Sequence, residues 1–408
     1  MTAQGPTPAE AADDLARQLA VPRPYPTGQG WRAQSLTKGT AGCALLHIER
    51  AHVGAGTWQD VHTWVTAAAD GGISAADDSG LHFGAPALSF VLHAAQADGD
   101  HRYRTALATL DRHVTTLTHR RVDAALARMD RGDLPAFAEY DVLHGLTGIG
   151  AYLLHHAPGS DALARVLAYL VRLTDPLRTD GETLPGWWVH HDPNVKNSPG
   201  FPGGHANLGL AHGITGPLAL LAAAARRHII VDGHTEAINT ICAWLDVWQQ
   251  DTGTGAWWPQ WITRDDLVTG QPSQRRAHRP SWCYGTPGIA RAQQLAAIAT
   301  NNTARQKDAE RAMAECLSDP ARLGSITDTG LCHGWAGLYQ TAWRTAQDAL
   351  TPAIGVQLSY LAEQLTCRAG QHEGLGLLEG AAGAALALHT AARDKPPVSG
   401  WDAFLLLH

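Results

Sequence analysis

Residues 144–154 read HGLTGIGAYLL, and the reading of that stretch decides the fold. Two glycines three residues apart, followed by small and aliphatic side chains, describe a helix with a bare face at its start, which permits close backbone approach. The pattern recurs as KGTAGCALL (38–46), FGAPALSFV (83–91), HGITGPLALL (212–221), YGTPGIARA (284–292), HGWAGLYQTA (333–342) and EGAAGAALAL (379–388), with Ala87 replacing the second glycine in one copy. First glycines fall at 39, 84, 145, 213, 285, 334 and 380, so the intervals are 45, 61, 68, 72, 49 and 46 residues. The shortest intervals suit a pair of helices with their turns. The chain therefore reads as seven helix-hairpin repeats.

Helical periodicity agrees. Leu338, Ala342, Ala346, Ala349 and Leu350 follow helical steps, as do Leu110, Val114 and Leu117 in an intervening segment. Near the amino end, Thr7-Pro8-Ala9-Glu10 carries a capping box with proline at the first helical position. Because the glycine-led helices are apolar on all sides, they suit the inner layer of a closed ring better than an open superhelix. The expected fold is all-α, an α/α toroid or double-layered barrel, with residues 1–408 as a single domain. The longer intervals hold GETLPGWWVHHDPNVKNSPGFPGG (181–204) and TGTGAWWPQWITRDDLVTG (252–270), which read as irregular or β insertions.

Composition removes other classes. A length of 408 residues with 45% hydrophobic content supports a large core, and a net charge of -7 without basic runs argues against nucleic acid as a partner. No apolar stretch reaches the roughly 18 residues of a membrane span. The acidic start MTAQGPTPAEAADDLARQLA is unlike a secretory signal, so a cytoplasmic protein is expected. Six cysteines without a CxxC do not form a disulfide framework. Cys43, Cys242, Cys316 and Cys367 read as small buried hydrophobes.

Cys283 and Cys332 differ. The residues just before the first glycines are Lys38, Phe83, His144, His212, Tyr284, His333 and Glu379, all at helix mouths if the repeats align. Cys283 and Cys332 then occupy one slot in consecutive repeats, and His333 follows Cys332. Two thiols and an imidazole make a catalytic zinc set with an open fourth position. The same residues also fit a closed zinc site with a further ligand, or two buried cysteines beside a core histidine. His212 and Asp141 are candidates for a carboxylate-oriented acid–base pair; helix capping by Asp141 and a satisfied core His212 are the alternative.

RPSWCYGTPG (279–288), LCHGWAG (331–337), NLGLAHGITG (207–216), YDVLHGLTGIG (140–150) and the seven glycine repeats resemble the lanthionine synthetase C-like family, cyclases of class I lanthipeptide biosynthesis. The resemblance covers nearly the whole chain and implies the α/α toroid. It implies Zn2+ held by Cys283, Cys332 and His333, proton transfer by His212 and Asp141, and a site lined by Arg279, Trp282 and Tyr284. The implied reaction adds peptide cysteine thiols to dehydroalanine or dehydrobutyrine. The implied partners are a dehydrated precursor peptide, leader plus core, and a lanthipeptide dehydratase, in a cytoplasmic setting compatible with a membrane-associated complex. Two rivals stand beside it: a same-fold enzyme adding glutathione or another free thiol, and a non-catalytic helical scaffold with structural zinc.

Overall fold

Each glycine pair opens a helix: Thr40–His52, Ala85–Ala94, Leu146–His156, Thr215–Arg226, Thr286–Ala299, Trp335–Asp348 and Ala381–Arg393. The computed structural model describes residues 5–179, 181–251, 253 and 255–408. Most side chains in these seven helices are buried, the exceptions falling mainly in their last turns, as helices apolar on all faces require. The helices between them are amphipathic and bury one stripe. In Asp161–Arg172 that stripe is Ala162, Leu163, Val166, Leu167, Tyr169 and Leu170, after an N-cap at Ser160. The all-α expectation holds.

The chain forms two compact units, residues 1–114 with 324–404, and residues 115–323 with 405–408. In the first, the repeat helices pack in the order Ala85–Ala94, Thr40–His52, Ala381–Arg393, Trp335–Asp348. In the second, the order is Leu146–His156, Thr215–Arg226, Thr286–Ala299. The Pro8–Gln18 helix has the expected capping box and lies against Ala381–Arg393, burying Ala11, Ala12, Leu15 and Ala16. The earliest helix thus serves as outer partner to the last repeat helix.

The glycines work differently from the bare-face reading. They chiefly admit the loop that leads into their own helix rather than a neighbouring helix. A Cβ on Gly145, Gly285 or Gly334 would strike backbone at Asp141, Ser281 or Gly330. On Gly42, Gly216, Gly288, Gly337 or Gly383 it would strike the carbonyl oxygen six residues earlier, at Leu36, Leu210, Trp282, Leu331 and Leu377. Each entry loop is folded back against its helix. A polar side chain pins the turn: Ser35, Asp141 and Ser281 accept from the backbone N–H three residues on, and Asn207 and Asp328 from the N–H two residues on.

Adjacent entry loops are then linked through backbone. In the first unit Cys332 N–H donates to Leu378 O (2.9 Å), Leu378 N–H to Thr37 O (2.9 Å), Leu377 N–H to Leu36 O (3.3 Å) and Leu36 N–H to His82 O (2.9 Å). In the second, Val142 N–H donates to Ala211 O (3.1 Å) and Leu210 N–H to Cys283 O (2.8 Å). Every link runs from one repeat to the next, with the last donating to the first.

Short antiparallel strands lie within the insertions, as expected, and immediately beside them, in the second unit. Leu177–Thr179 pairs with Glu182–Leu184, and Gln250–Asp251 with Ala256–Trp257. His205–Asn207, just after the first insertion, pairs with Trp261–Thr263 of the second, in the register Ala206↔Ile262. A helix, Arg264–Thr269, capped by Thr263, ends the second insertion; its Thr252 and Thr254 lie outside the described residues.

Two expectations are corrected. The helix after His333 stops at Asp348: Ala349 is extended and Leu350 is 48% exposed. Two residues farther on, Pro352 disfavours continuing the helix. Cys367 is exposed rather than buried. Cys43, Cys242 and Cys316 are buried, which pushes their thiols up to about 12, 11 and 11. They are inert by burial. Among the described residues no helix is long and apolar enough to cross a membrane.

Candidate active site

In the second unit the mouths of three repeat helices carry the polar side chains singled out by sequence. Asp141 is fully buried at the turn before Leu146–His156. Its Oδ1 accepts from the backbone N–H groups of His144 (2.6 Å) and Gly145 (2.8 Å). Its Oδ2 accepts from His212 Nδ1–H at 2.6 Å and faces His144 Nδ1 at 3.3 Å. The ligating atoms of Asp141, His144 and His212 all lie within 4.8 Å of one another.

Asp141 does not cap the helix, whose N-cap is Gly145 with no side-chain cap; one of its oxygens pins the entry turn and the other orients an imidazole. Burial pushes the Asp141 carboxyl up, but hydrogen bonds and charge from His144 and His212 outweigh it and hold it well below the carboxylate range. Burial works against charge on His212, yet the Asp141 hydrogen bond and charge, with a smaller contribution from Cys283, raise its pKa. Phe137 stacks on the His212 ring at 5.7 Å, fixing its plane.

Phe137 is itself gripped by two imidazoles that sequence reasoning did not single out. His191 and His205 meet it edge-on at 4.6 and 5.3 Å. Burial lowers the pKa of His191, and that of His205 to about 4. Both are packing groups at neutral pH, with Nδ1–H committed to the backbone oxygens of Asp192 and His191 (2.7 and 2.8 Å).

Cys283 is buried one residue before Tyr284, with Sγ 3.7 Å from Ser281 Oγ. Its backbone is fixed by the Leu210 link. The Tyr284 hydroxyl accepts from Asn207 Nδ2 at 3.0 Å, and the Tyr284 ring lies 6.2 Å from that of His212. Asn207 belongs to the strand His205–Asn207, which therefore reaches the site through this amide as well as through His205 against Phe137. Trp282 is fully buried, its indole N–H donating to Leu405 O at 2.9 Å. Arg279 is half-buried in the same entry loop.

In the first unit Cys332 and His333 stand at the equivalent mouth, both partly exposed. Cys332 Sγ and a His333 ring nitrogen lie within 4.8 Å of each other. Asp328 Oδ2 is 3.6 Å from His333 Nε2. The signal that could have found Asn207 and Asp328 is the repeat register, which puts a polar residue six places before the first glycine in both.

Comparison with known proteins bears on this arrangement. The family described as "Lanthionine synthetase C-like protein" matches residues 30–406. Nisin biosynthesis protein NisC of Lactococcus lactis subsp. lactis is 24% identical over 317 residues, covering 76% of this chain and 72% of that protein. A solved structure titled nisin cyclase aligns with a TM-score of 0.79 at 20% identity, over 97% of this chain and 96% of that one. At that identity the likeness is one of fold.

Proposed function

The chain belongs to the lanthionine synthetase C-like family, and on that premise we propose that it is a zinc-dependent lanthipeptide cyclase. It would add cysteine thiols of a dehydrated precursor peptide to dehydroalanine or dehydrobutyrine in the same peptide. The observation that carries the reading is the buried Asp141 carboxylate holding His212 at a helix mouth, in the same unit as Cys283. An imidazole whose pKa is raised by a buried carboxylate, in the same unit as a candidate metal thiolate, suits thiol addition to an electron-poor alkene.

The donor set fits zinc. Cys283, Cys332 and His333 are soft sulfur and nitrogen donors, and the Cys332–His333 spacing is one that two ligands of a single ion can share. These three residues would hold the ion, which when bound favours the thiolate form of an incoming cysteine over the thiol. The thiol releases its S–H proton to solvent, from which His212 later recovers the one it gives. Sulfur attacks the β-carbon, a C–S bond forms, and the alkene electrons move to the carbonyl oxygen as an enolate. The α-carbon then takes a proton from His212 Nε2, while Asp141 keeps Nδ1–H in place and stays ionised. Arg279 would face the enolate oxygen, and Tyr284, held by Asn207, would position the peptide. Trp282 would hold the Cys283 turn from the core side. A lanthipeptide dehydratase is the proposed companion, since its product is the substrate.

The test uses purified zinc-loaded protein and a dehydrated precursor. Cyclisation consumes free thiols without changing mass, whereas addition of glutathione raises it. Cys283→Ala and Cys332→Ala should each lower bound zinc below one equivalent and abolish thiol consumption. Full zinc and full activity in both would remove the assignment.

A further inference from the structure

We propose that Trp31 and Phe83 form a subsite for an aromatic side chain of the peptide substrate, several residues along the peptide from the reacting cysteine; the inference rests on the cyclase reading. Both belong to the first unit, at the far end of a row of helix mouths that begins with Cys332 and His333. Backbone lays the row down. Cys332 N–H donates to Leu378 O, Leu378 N–H to Thr37 O and Leu36 N–H to His82 O, each at 2.9 Å. The residues before the repeat glycines therefore stand in the order His333, Glu379, Lys38, Phe83, and Lys38 Nζ meets Glu379 Oε2 at 3.8 Å.

Phe83 takes the place that His144, His212, Tyr284 and His333 hold in other repeats, but a phenyl ring neither transfers a proton nor binds a metal. What it offers is support for an indole. Trp31, in the short 3-10 helix Gly30–Gln34, meets the Phe83 ring edge-on, with centroids 6.3 Å apart and planes at 72°. That helix lies at the mouth: a Cβ on Gly39 would strike the Arg32 carbonyl, and Ser35 bridges to Phe83. The Arg32 guanidinium lies 5.7 Å over the Trp31 ring. Trp31 is thus held by two neighbours and still 43% exposed, whereas Trp64, Trp343 and Trp401 of the same unit are buried. An aromatic surface fixed in place and open to solvent is suited to stacking with another ring.

The row also sets the reach. From the mouth of Trp335–Asp348 to that of Ala85–Ala94 is three steps between packed helices. At about 9 Å a step and about 3.4 Å for each extended residue, roughly eight residues of peptide span it. Its middle is the Lys38–Glu379 pair, whose side chains both reach solvent and suit backbone amides better than an apolar group. The aromatic preference therefore belongs to the far end.

The probes are synthetic peptides in which a dehydroalanine and a cysteine flank three glycines. A Gly/Ser spacer of about two, five or eight residues, on either side, leads to a terminal Phe or to Ser in its place. With zinc-loaded full chain, the Phe-ended probe should cyclise with a KM about three- to tenfold below that of its Ser-ended twin at the longest spacer, and with no advantage at the shortest. Trp31→Ala should abolish that ratio. Tyr360→Ala, which removes an equally exposed ring on the helix Leu358–Cys367, outside the entry loops, should keep it. No Phe advantage at the longest spacer, one as large at the shortest, or one that Trp31→Ala leaves whole, overturns the subsite. If wild type cyclises no probe, the cyclase reading falls, and fluorescence anisotropy of the same labelled peptides decides the subsite alone. A lower Kd for Phe than for Ser that Trp31→Ala abolishes sustains it, and equal Kd values overturn it.

Discussion

Asp141 is the side chain on which the proposed acid–base chemistry depends, and its two oxygens answer to different demands. Oδ1 shapes the turn and Oδ2 charges the imidazole. Asp141→Asn keeps the shape and removes the charge, so cyclisation should fall by about 10²–10⁴-fold with only a modest loss of stability. Activity that needs His212 protonated declines as pH rises through its raised pKa. In Asp141→Asn that alkaline limb should move to lower pH by about one to three pH units, read from pH–rate profiles. Stability follows the opposite limits. Asp141, depressed in the fold, contributes above its ordinary 3.8 and loses that contribution as pH falls through the folded value. His212, raised from 6.5, contributes fully below that value and loses it as pH climbs through the folded one. Unfolding midpoints across pH in wild type and Asp141→Asn would show both. The pairing of Asp141 with an imidazole was legible from three-residue spacing and repeat register. That two imidazoles share one oxygen was not, since it depends on the angle at which successive entry loops meet.

At the scale of the element, the repeat glycines were legible and their purpose was not. The pattern announces a bare face but does not say what lies on it, and here it is mainly the helix's own entry loop. Gly288→Ala would push on the Trp282 carbonyl, and Gly337→Ala on the Leu331 carbonyl, each one residue before a candidate thiol ligand. Both should lose about 1–3 kcal/mol in denaturant unfolding and hold zinc less tightly. Gly159→Ala, with nothing within 4 Å of the added carbon, should do neither. Equal behaviour of all three would mean the loops yield freely. The insertions show the other limit of reading. Trp, Gly and Pro density marked them as irregular, yet the pairing of His205–Asn207 with Trp261–Thr263 joins residues over fifty positions apart by backbone bonds that composition does not encode.

At the scale of the whole molecule, sequence repetition and fold likeness agree: the family match spans residues 30–406. The Pro8–Gln18 helix lies before the first repeat and had its cap to announce it. Its place against Ala381–Arg393 follows from the apolar stripe Ala11, Ala12, Leu15 and Ala16, with an Asp13–Arg50 ion pair (2.7 Å) beside it. Leu15→Ala should cost about 2–5 kcal/mol, seen as a lower denaturant midpoint; a loss under about 0.5 kcal/mol would make this helix an accessory. The one-way backbone links between entry loops reach further than any side chain. Loop amides ordinarily trade their protons with water quickly. Those of Val142, Leu210, Cys332, Leu377, Leu378 and Leu36 are bonded and sit among buried neighbours, so in deuterium they should exchange as slowly as the helices behind them. The chemistry at these mouths would then be carried on backbone that opens only when its unit does.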